Sequence, residues 1–198
     1  QPHAHSSPLP GEQGNDGGVA AAERLLLLGQ PGRAAEGALT ALRARGALLD
    51  RGGELAALFV YIQATQQLGG LGGLEAELER LYGALGRVPT GGVLLWCALL
   101  LGMGERAGAR GILERYLGSV SVPHSAGLCQ VGQDQYEAAA RMYVLEVLCD
   151  PQGGEGGGAG GRAADAVRWL ESSAAMCSLP EPKRRELLDK AGAVVGPG

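Results

Sequence analysis

Residues able to do chemistry are few in this chain, and they lie far apart. There are three histidines, His3, His5 and His124, and four cysteines, Cys97, Cys129, Cys149 and Cys177. A zinc site needs convergent Cys or His ligands, and a catalytic thiol needs a base to activate it. No CxxC pair occurs, and His3-Ala4-His5 sits in a Pro-, Ser- and Gly-rich tail that would hold a metal only weakly. His124 has no Cys, Asp or Glu next to it and reads as a solvated loop residue. Cys97, Cys149 and Cys177 fall in apolar helical stretches, where a free thiol packs as a small hydrophobe. That usage fits a reduced, cytosol-facing environment.

The remaining chemical candidates are weaker. Gly69-Gly70-Leu71-Gly72-Gly73 follows a helical segment instead of a strand. It also lacks the lysine of a phosphate-binding loop. The acidic residues lie on polar helix faces beside arginines, an arrangement suited to i,i+4 ion pairs. Lys183-Arg184-Arg185 is the sole basic run, and it falls short of the roughly 4–8 clustered cations of a lipid-binding segment. The expectation is therefore a non-enzyme without metal or cofactor, binding by surface complementarity. No small-molecule substrate is expected.

Composition narrows the class further. The 198 residues carry 17 basic and 21 acidic side chains, a net charge of −4, which argues against a nucleic-acid partner. A chain of this length buries roughly 70% of its unfolded surface and needs no disulfide or metal staple. Only Lys183 and Lys190 are lysine, and 35 residues are glycine. This pattern looks like a GC-rich genome, so some helix glycines reflect coding bias.

The chain is organised around residues 91–117. Residues 93–101 are apolar without a break, far short of the roughly 20 needed to span a bilayer. They predict a helix buried on nearly all sides. Gly102-Met103-Gly104 then breaks the run. An amphipathic helix follows, with Ala109, Ile112, Leu113, Tyr116 and Leu117 on one face. Two helices joined by a short glycine turn form an antiparallel hairpin.

Similar units flank it. Helices are predicted over residues 19–28 and 33–45, with a turn at Gly29-Gln30-Pro31-Gly32. Another covers residues 54–68, with Leu55, Leu58, Ile62 and Thr65 on its face. A fourth carries Leu71, Leu74, Leu78, Leu81 and Leu85 and stops before Pro89. Residues 118–132 read as a loop. Asp134-x-x-Glu137 and Ser178-x-x-Glu181 look like capping boxes. The first opens a helix to Cys149 with Tyr136, Ala140, Tyr143 and Val147 inward, and the second opens the last helix. Residues 162–177 form the helix between them. Residues 1–18 are predicted disordered and 152–161 a flexible glycine-rich insert. The whole of 19–196 is expected to be one all-α domain of stacked antiparallel hairpins. The breaks at Gly29, Gly69 and Gly102 recur near the roughly 34-residue tetratricopeptide period, so the stack is expected to be a tetratricopeptide-like α-solenoid.

Three phrases add a resemblance. They are Arg110-Gly111-Ile112-Leu113-Glu114-Arg115-Tyr116-Leu117, then Asp134-Gln135-Tyr136 with Tyr143-Val144-Leu145, then Ala166-Val167-Arg168-Trp169-Leu170-Glu171 followed by Leu179-Pro180-Glu181 and Arg184-Arg185-Glu186-Leu187-Leu188. In order and approximate spacing, residues 105–188 resemble the plant aberrant-peroxisome-morphology family of peroxisome-biogenesis factors. Residues 153–161 and 172–178 have no counterpart in that family. The resemblance implies a tail-anchored peroxisomal membrane protein with its anchor beyond Gly198. Its helical domain would face the cytosol and recruit the AAA-type ATPase peroxins that recycle the matrix-protein import receptor. The polar side of the last two helices, with Arg168, Glu171, Lys183, Arg184 and Arg185, is then the candidate contact. The alternative is a soluble tetratricopeptide-like interaction scaffold unrelated to peroxisomes.

Overall fold

The computed structural model describes residues 16–44, 49–121, 129–149, 159–172 and 178–195. The described residues are predominantly helical, and the chain divides into two compact units at Leu74 and Glu75. Three of the expectations, for His3, His5 and His124, lie outside the described residues. Most of the expected tail and insert lie outside them too. Asp16 to Gly18, expected within the tail, are helical, as are Ala159 to Gly161 at the end of the expected insert. Glycine costs a helix only about 1 kcal/mol per residue, which the apolar stripes downstream outweigh.

The first unit holds α1 (Asp16–Leu27), α2 (Pro31–Arg43) and α3 (Arg51–Gln67), then a 3-10 turn at Leu71–Gly73. All three helices pack on one another. Their shared core is built of small side chains, Ala22, Ala34, Ala38, Val60 and Ala64, with Leu25, Leu26, Ala35 and Tyr61 packed around it. Alanine at a helix contact lets the axes approach closely. Pro31 starts α2, where its missing N–H costs nothing. Asp50 starts α3 by accepting the Gly53 N–H at 2.7 Å. That cap places the helix start at Arg51, ahead of the expected Glu54. Of the face predicted for α3, Leu58 and Ile62 are buried, while Leu55 and Thr65 are half-buried. Ala57, Val60 and Ala64 are buried in addition, because α1 and α2 both press on this helix. The four leucines that end α1 and its turn are divided: Leu25 and Leu26 pack on the core, while Leu27 and Leu28 are 87% and 71% exposed.

Three helices end in the same way. Gly29, Gly69 and Gly104 have φ of 68°, 75° and 81°, a left-handed conformation that glycine adopts without strain. At each, the next residue's N–H reaches back into the last turn, as in Gln30 to Leu25 at 2.9 Å, Gly70 to Thr65 at 3.0 Å and Glu105 to Leu100 at 2.8 Å. This is the Schellman motif. The break after the central apolar run is therefore at Gly104, and Gly102 belongs to the helix.

The second unit begins in α4 (Leu74–Tyr82), followed by a 3-10 turn at Leu85–Arg87. The leucine stripe holds, with Leu74, Leu78 and Leu85 buried and Leu81 half-buried. Next come α5 (Thr90–Gly102) and α6 (Arg106–Ser119), which pack together. The predicted face of α6, Ala109, Ile112, Leu113, Tyr116 and Leu117, is buried throughout. The run in α5 is buried on one face only, at Val93, Trp96, Cys97 and Leu100. Leu94, Leu95, Leu99 and Leu101 are half-buried and Ala98 is exposed. Thr90 Oγ1 and Tyr116 OH share a buried hydrogen bond of 2.7 Å that ties the start of α5 to the end of α6. Gly86 approaches Ser119 so closely that a Cβ there would stand 2.7 Å from the Ser119 Oγ.

Within the expected loop at 118–132, β1 (Val120–Ser121) pairs in parallel with β2 (Cys129–Gln130), two residues each. Then α7 (Gln133–Arg141) continues as a π-helical segment, Met142–Leu148. Its predicted inward residues, Tyr136, Ala140, Tyr143 and Val147, are buried. Its cap differs from expectation, because Gly132 precedes the helix and donates its N–H to the Gln135 side chain at 3.2 Å. Glycine has no side chain to complete a box, so Asp134 stands in the first turn instead of capping it.

α8 (Ala159–Leu170) ends before the expected Cys177. α9 (Glu181–Val195) starts after Pro180, whose carbonyl accepts the Arg184 N–H at 3.0 Å. Ser178 is not its cap, because it stands two residues before the cap position at Pro180, and its carbonyl accepts from Gln133 Nε2 at 2.9 Å. The π-helical segment packs against α6, α8 and α9. Among the described residues no helix is long and apolar enough to cross a membrane.

Trp96 is 2% exposed, and its indole N–H has no hydrogen-bond partner among the described residues. Trp96→Ala is expected to cost about 3–5 kcal/mol in urea unfolding. Trp96→Phe removes the unpaired donor along with part of the ring and is expected to cost under about 1.5 kcal/mol. Equal losses for the two variants would show that the ring is not packed as described.

Candidate partner-binding surfaces

The five expected contact residues sit on two helices that pack together. Arg168 lies in α8, Glu171 just past its end, and Lys183, Arg184 and Arg185 in the first turns of α9. Each cation already has an acid nearby. Arg168 pairs with Asp165 at 3.0 Å, Arg185 with Glu181 at 3.3 Å, and Arg184 with the same Glu181. Lys183 bridges to Glu137 of α7 at 2.9 Å and approaches Glu186 at 3.8 Å. Glu186 also holds Lys190 and lies 3.9 Å from Arg141. The hydrogen bond to Glu137, helped by the charges of Glu137 and Glu186, raises the Lys183 ammonium above its ordinary pKa.

These distances divide the set. Lys183 belongs to a network tying α9 to α7, and Arg184 is mostly covered. The side chains of Arg168 and Arg185 are 78% and 73% exposed, and Glu171 is exposed as well. Those three remain available to a partner. Exposed pairs of this kind contribute well under about 1 kcal/mol each, so they can be exchanged for contacts across an interface.

A polar junction joins α6, the π-helical segment and α8, and nothing in local sequence announces it. Glu114 on α6 accepts from Arg110 Nε at 2.8 Å and from the Tyr143 hydroxyl at 2.7 Å. The Tyr143 ring meets Trp169 of α8 edge-on, with centroids 5.1 Å apart and planes at 68°, a favourable aromatic geometry. Burial alone pushes the Glu114 carboxyl up. The hydrogen bonds from Tyr143 and Arg110, with the Arg110 charge, outweigh it and hold the carboxyl below its ordinary value. Burial and the bond to Glu114 raise the Tyr143 hydroxyl well above the usual phenol range.

The first unit has a different kind of surface, an apolar groove of 350 Å³ between α1 and α3. The sequence gives its lining as parts of amphipathic stripes, but only packing reveals that the trough stays open.

Reactive groups do not assemble. Among the described residues no cluster of three or more His, Cys, Asp or Glu could hold a metal. Cys97, Cys129 and Cys149 are free thiols. Burial pushes the Cys97 thiol up to about 12, which leaves almost no thiolate to react.

No family model matches the chain, and neither do any curated proteins or solved structures.

The junction makes a prediction about acid. A depressed carboxyl pKa contributes stability that is present above the unfolded value, about 4.3. That stability is lost as pH falls through the folded value. Tyr143→Phe keeps the ring against Trp169 but removes a hydrogen bond to a charged acceptor, worth about 1.5–3 kcal/mol. Urea midpoints measured at about pH 7 and about pH 4 are expected to show a large Tyr143→Phe deficit at the higher pH and a smaller one at the lower. A deficit independent of pH would detach Tyr143 from the Glu114 charge.

Proposed function

We propose that this chain is a peroxisome-biogenesis adaptor. Its helical domain recruits AAA-type ATPase peroxins at the cytosolic face of the peroxisomal membrane, for recycling of the matrix-protein import receptor. In this reading the hairpins stack in a tetratricopeptide-like array, and binding is by surface complementarity, without catalysis or cofactor. Attachment to the membrane is through an anchor outside these residues.

One observation carries the reading. The three phrases that resemble the peroxisomal family supply Glu114, Tyr143 and Trp169, one each, and these three side chains meet. Phrases matched in order along a chain are weak on their own. Their convergence on one contact gives a physical reason for them to occur together. Arg168 and Glu171 flank Trp169 in the chain, and with Arg185 they are the exposed members of the expected set, which makes these three the preferred partner residues.

A second reading, a general interaction scaffold unrelated to peroxisomes, is favoured by the apolar groove of the first unit. That groove lies outside residues 105–188.

Affinity capture from plant or green-algal lysate in the presence of ATP tests the first reading. AAA-type peroxins are expected among the retained proteins. A double variant, Arg168→Glu with Arg185→Glu, is expected to weaken their capture more at low salt than at high salt, because interface charges act mainly on association rate. Its melting temperature should stay unchanged. Lys183 is left intact in this test because it is engaged by Glu137 of α7, and Arg184 because its side chain is mostly covered. Capture without any AAA-type peroxin would rule out the adaptor role and leave the scaffold reading.

A further inference from the structure

The groove of the first unit has the form of a helix-binding trough. One wall is Glu23, Leu26 and Leu27 of α1, at steps i, i+3 and i+4; the other is Ala56, Phe59, Val60 and Gln63 of α3, at steps i, i+3, i+4 and i+7. Those steps are the ridges along which helices pack into one another's grooves. The volume of 350 Å³ suits a few bulky side chains. A small-molecule site encloses most of its ligand, but here Leu27 at the lip is 87% exposed and neighbouring Leu28 is 71% exposed. An elongated occupant would cover both.

Charge narrows the choice. Glu23 is exposed and has no ion-pair partner among the described residues. Gln63 is the other polar member of the lining. Among the described residues the one charge in the lining is the Glu23 carboxylate, which favours a cation beside the apolar contacts. We propose that this groove receives an amphipathic helix from a partner protein, with apolar residues at i, i+3 or i+4, and i+7 in the trough and a Lys or Arg opposite Glu23. This is helix-in-groove recognition. It lies outside the residues that carry the peroxisomal reading, so either proposal can fail without the other.

The test uses the whole purified chain and two dye-labelled synthetic peptides. Both carry leucines at i, i+3, i+4 and i+7; one has Lys and the other Glu at the flanking position. Saturable binding of the Lys peptide by fluorescence anisotropy is expected. Leu27→Asp should weaken it roughly tenfold or more, the scale of one buried leucine side chain. Glu23→Lys should weaken the Lys peptide about two- to fivefold and strengthen the Glu peptide by a similar factor, the scale of an exposed ion pair. Both substitutions are at exposed positions, and a melting curve checks that each variant stays folded. The proposal is overturned by absence of saturable binding, by equal affinity of the two peptides for wild type and Glu23→Lys, or by indifference to Leu27→Asp. It is also overturned if sedimentation shows a dimer abolished by Leu27→Asp, which would make a second copy the occupant. Phosphatidylcholine vesicle binding abolished by the same variant, with no peptide binding, would make it a lipid contact.

Discussion

In the second unit one half-exposed carboxylate, Glu114, links helices distant in sequence. Glu114 sits on α6 with Arg110 one turn before it and the Tyr143 hydroxyl above it, and Tyr143 rests against Trp169. Helices distant in sequence are thereby held by a charged acceptor and an aromatic edge. Tyr143 lies in the π-helical turn at Met142–Leu148, where Tyr143, Val144, Val147 and Leu148 are all buried. Isolated π turns of this kind often accompany a specific placement of side chains.

The two units solve the packing problem differently. In the first, a cluster of alanines with Val60 lets the helices approach closely beside buried Leu42, Leu58 and Ile62, while Leu27 and Leu28 are left at the surface. In the second, Trp96, Tyr116, Tyr136 and Tyr143 are all buried, and polar groups such as Thr90 are drawn in to meet them. Alanine contacts hold helices close but bury little area per residue, whereas aromatic side chains bury much more.

Much of the architecture was legible in residue spacing. The inward faces of α6 and α7 could be named residue by residue, because a regular helix maps position onto face. Elsewhere the spacing was insufficient. The apolar run of α5 suggested burial all round, yet hydrophobicity does not say how many neighbours a helix has. Both predicted capping boxes were displaced, at Asp134 by Gly132 with Gln135 and at Ser178 by Pro180. Local patterns that compete within two or three residues are settled by how the preceding chain arrives. At the candidate surface, sequence located Arg168, Glu171, Lys183, Arg184 and Arg185 on helices. It could not tell that Lys183 is engaged by Glu137 while Arg168 and Arg185 stay exposed. The meeting of Glu114 with Tyr143 was out of reach for the same reason, since it joins positions 29 residues apart.

The glycines fall into two populations. At Gly29, Gly69 and Gly104 the backbone is left-handed, and any other residue would be strained. Gly86 is held by its closeness to Ser119. Gly17, Gly32, Gly111 and Gly192, by contrast, lie within helices at ordinary φ, with nothing within 4 Å of where a Cβ would stand. Each such position lets the unfolded chain wander more widely while adding nothing to the native contacts. Alanine there would recover about 0.4–1 kcal/mol apiece by reducing the freedom of the denatured ensemble. The fold thus has unused thermal headroom. Four methyl groups placed where nothing touches them could raise the melting point without altering either candidate surface.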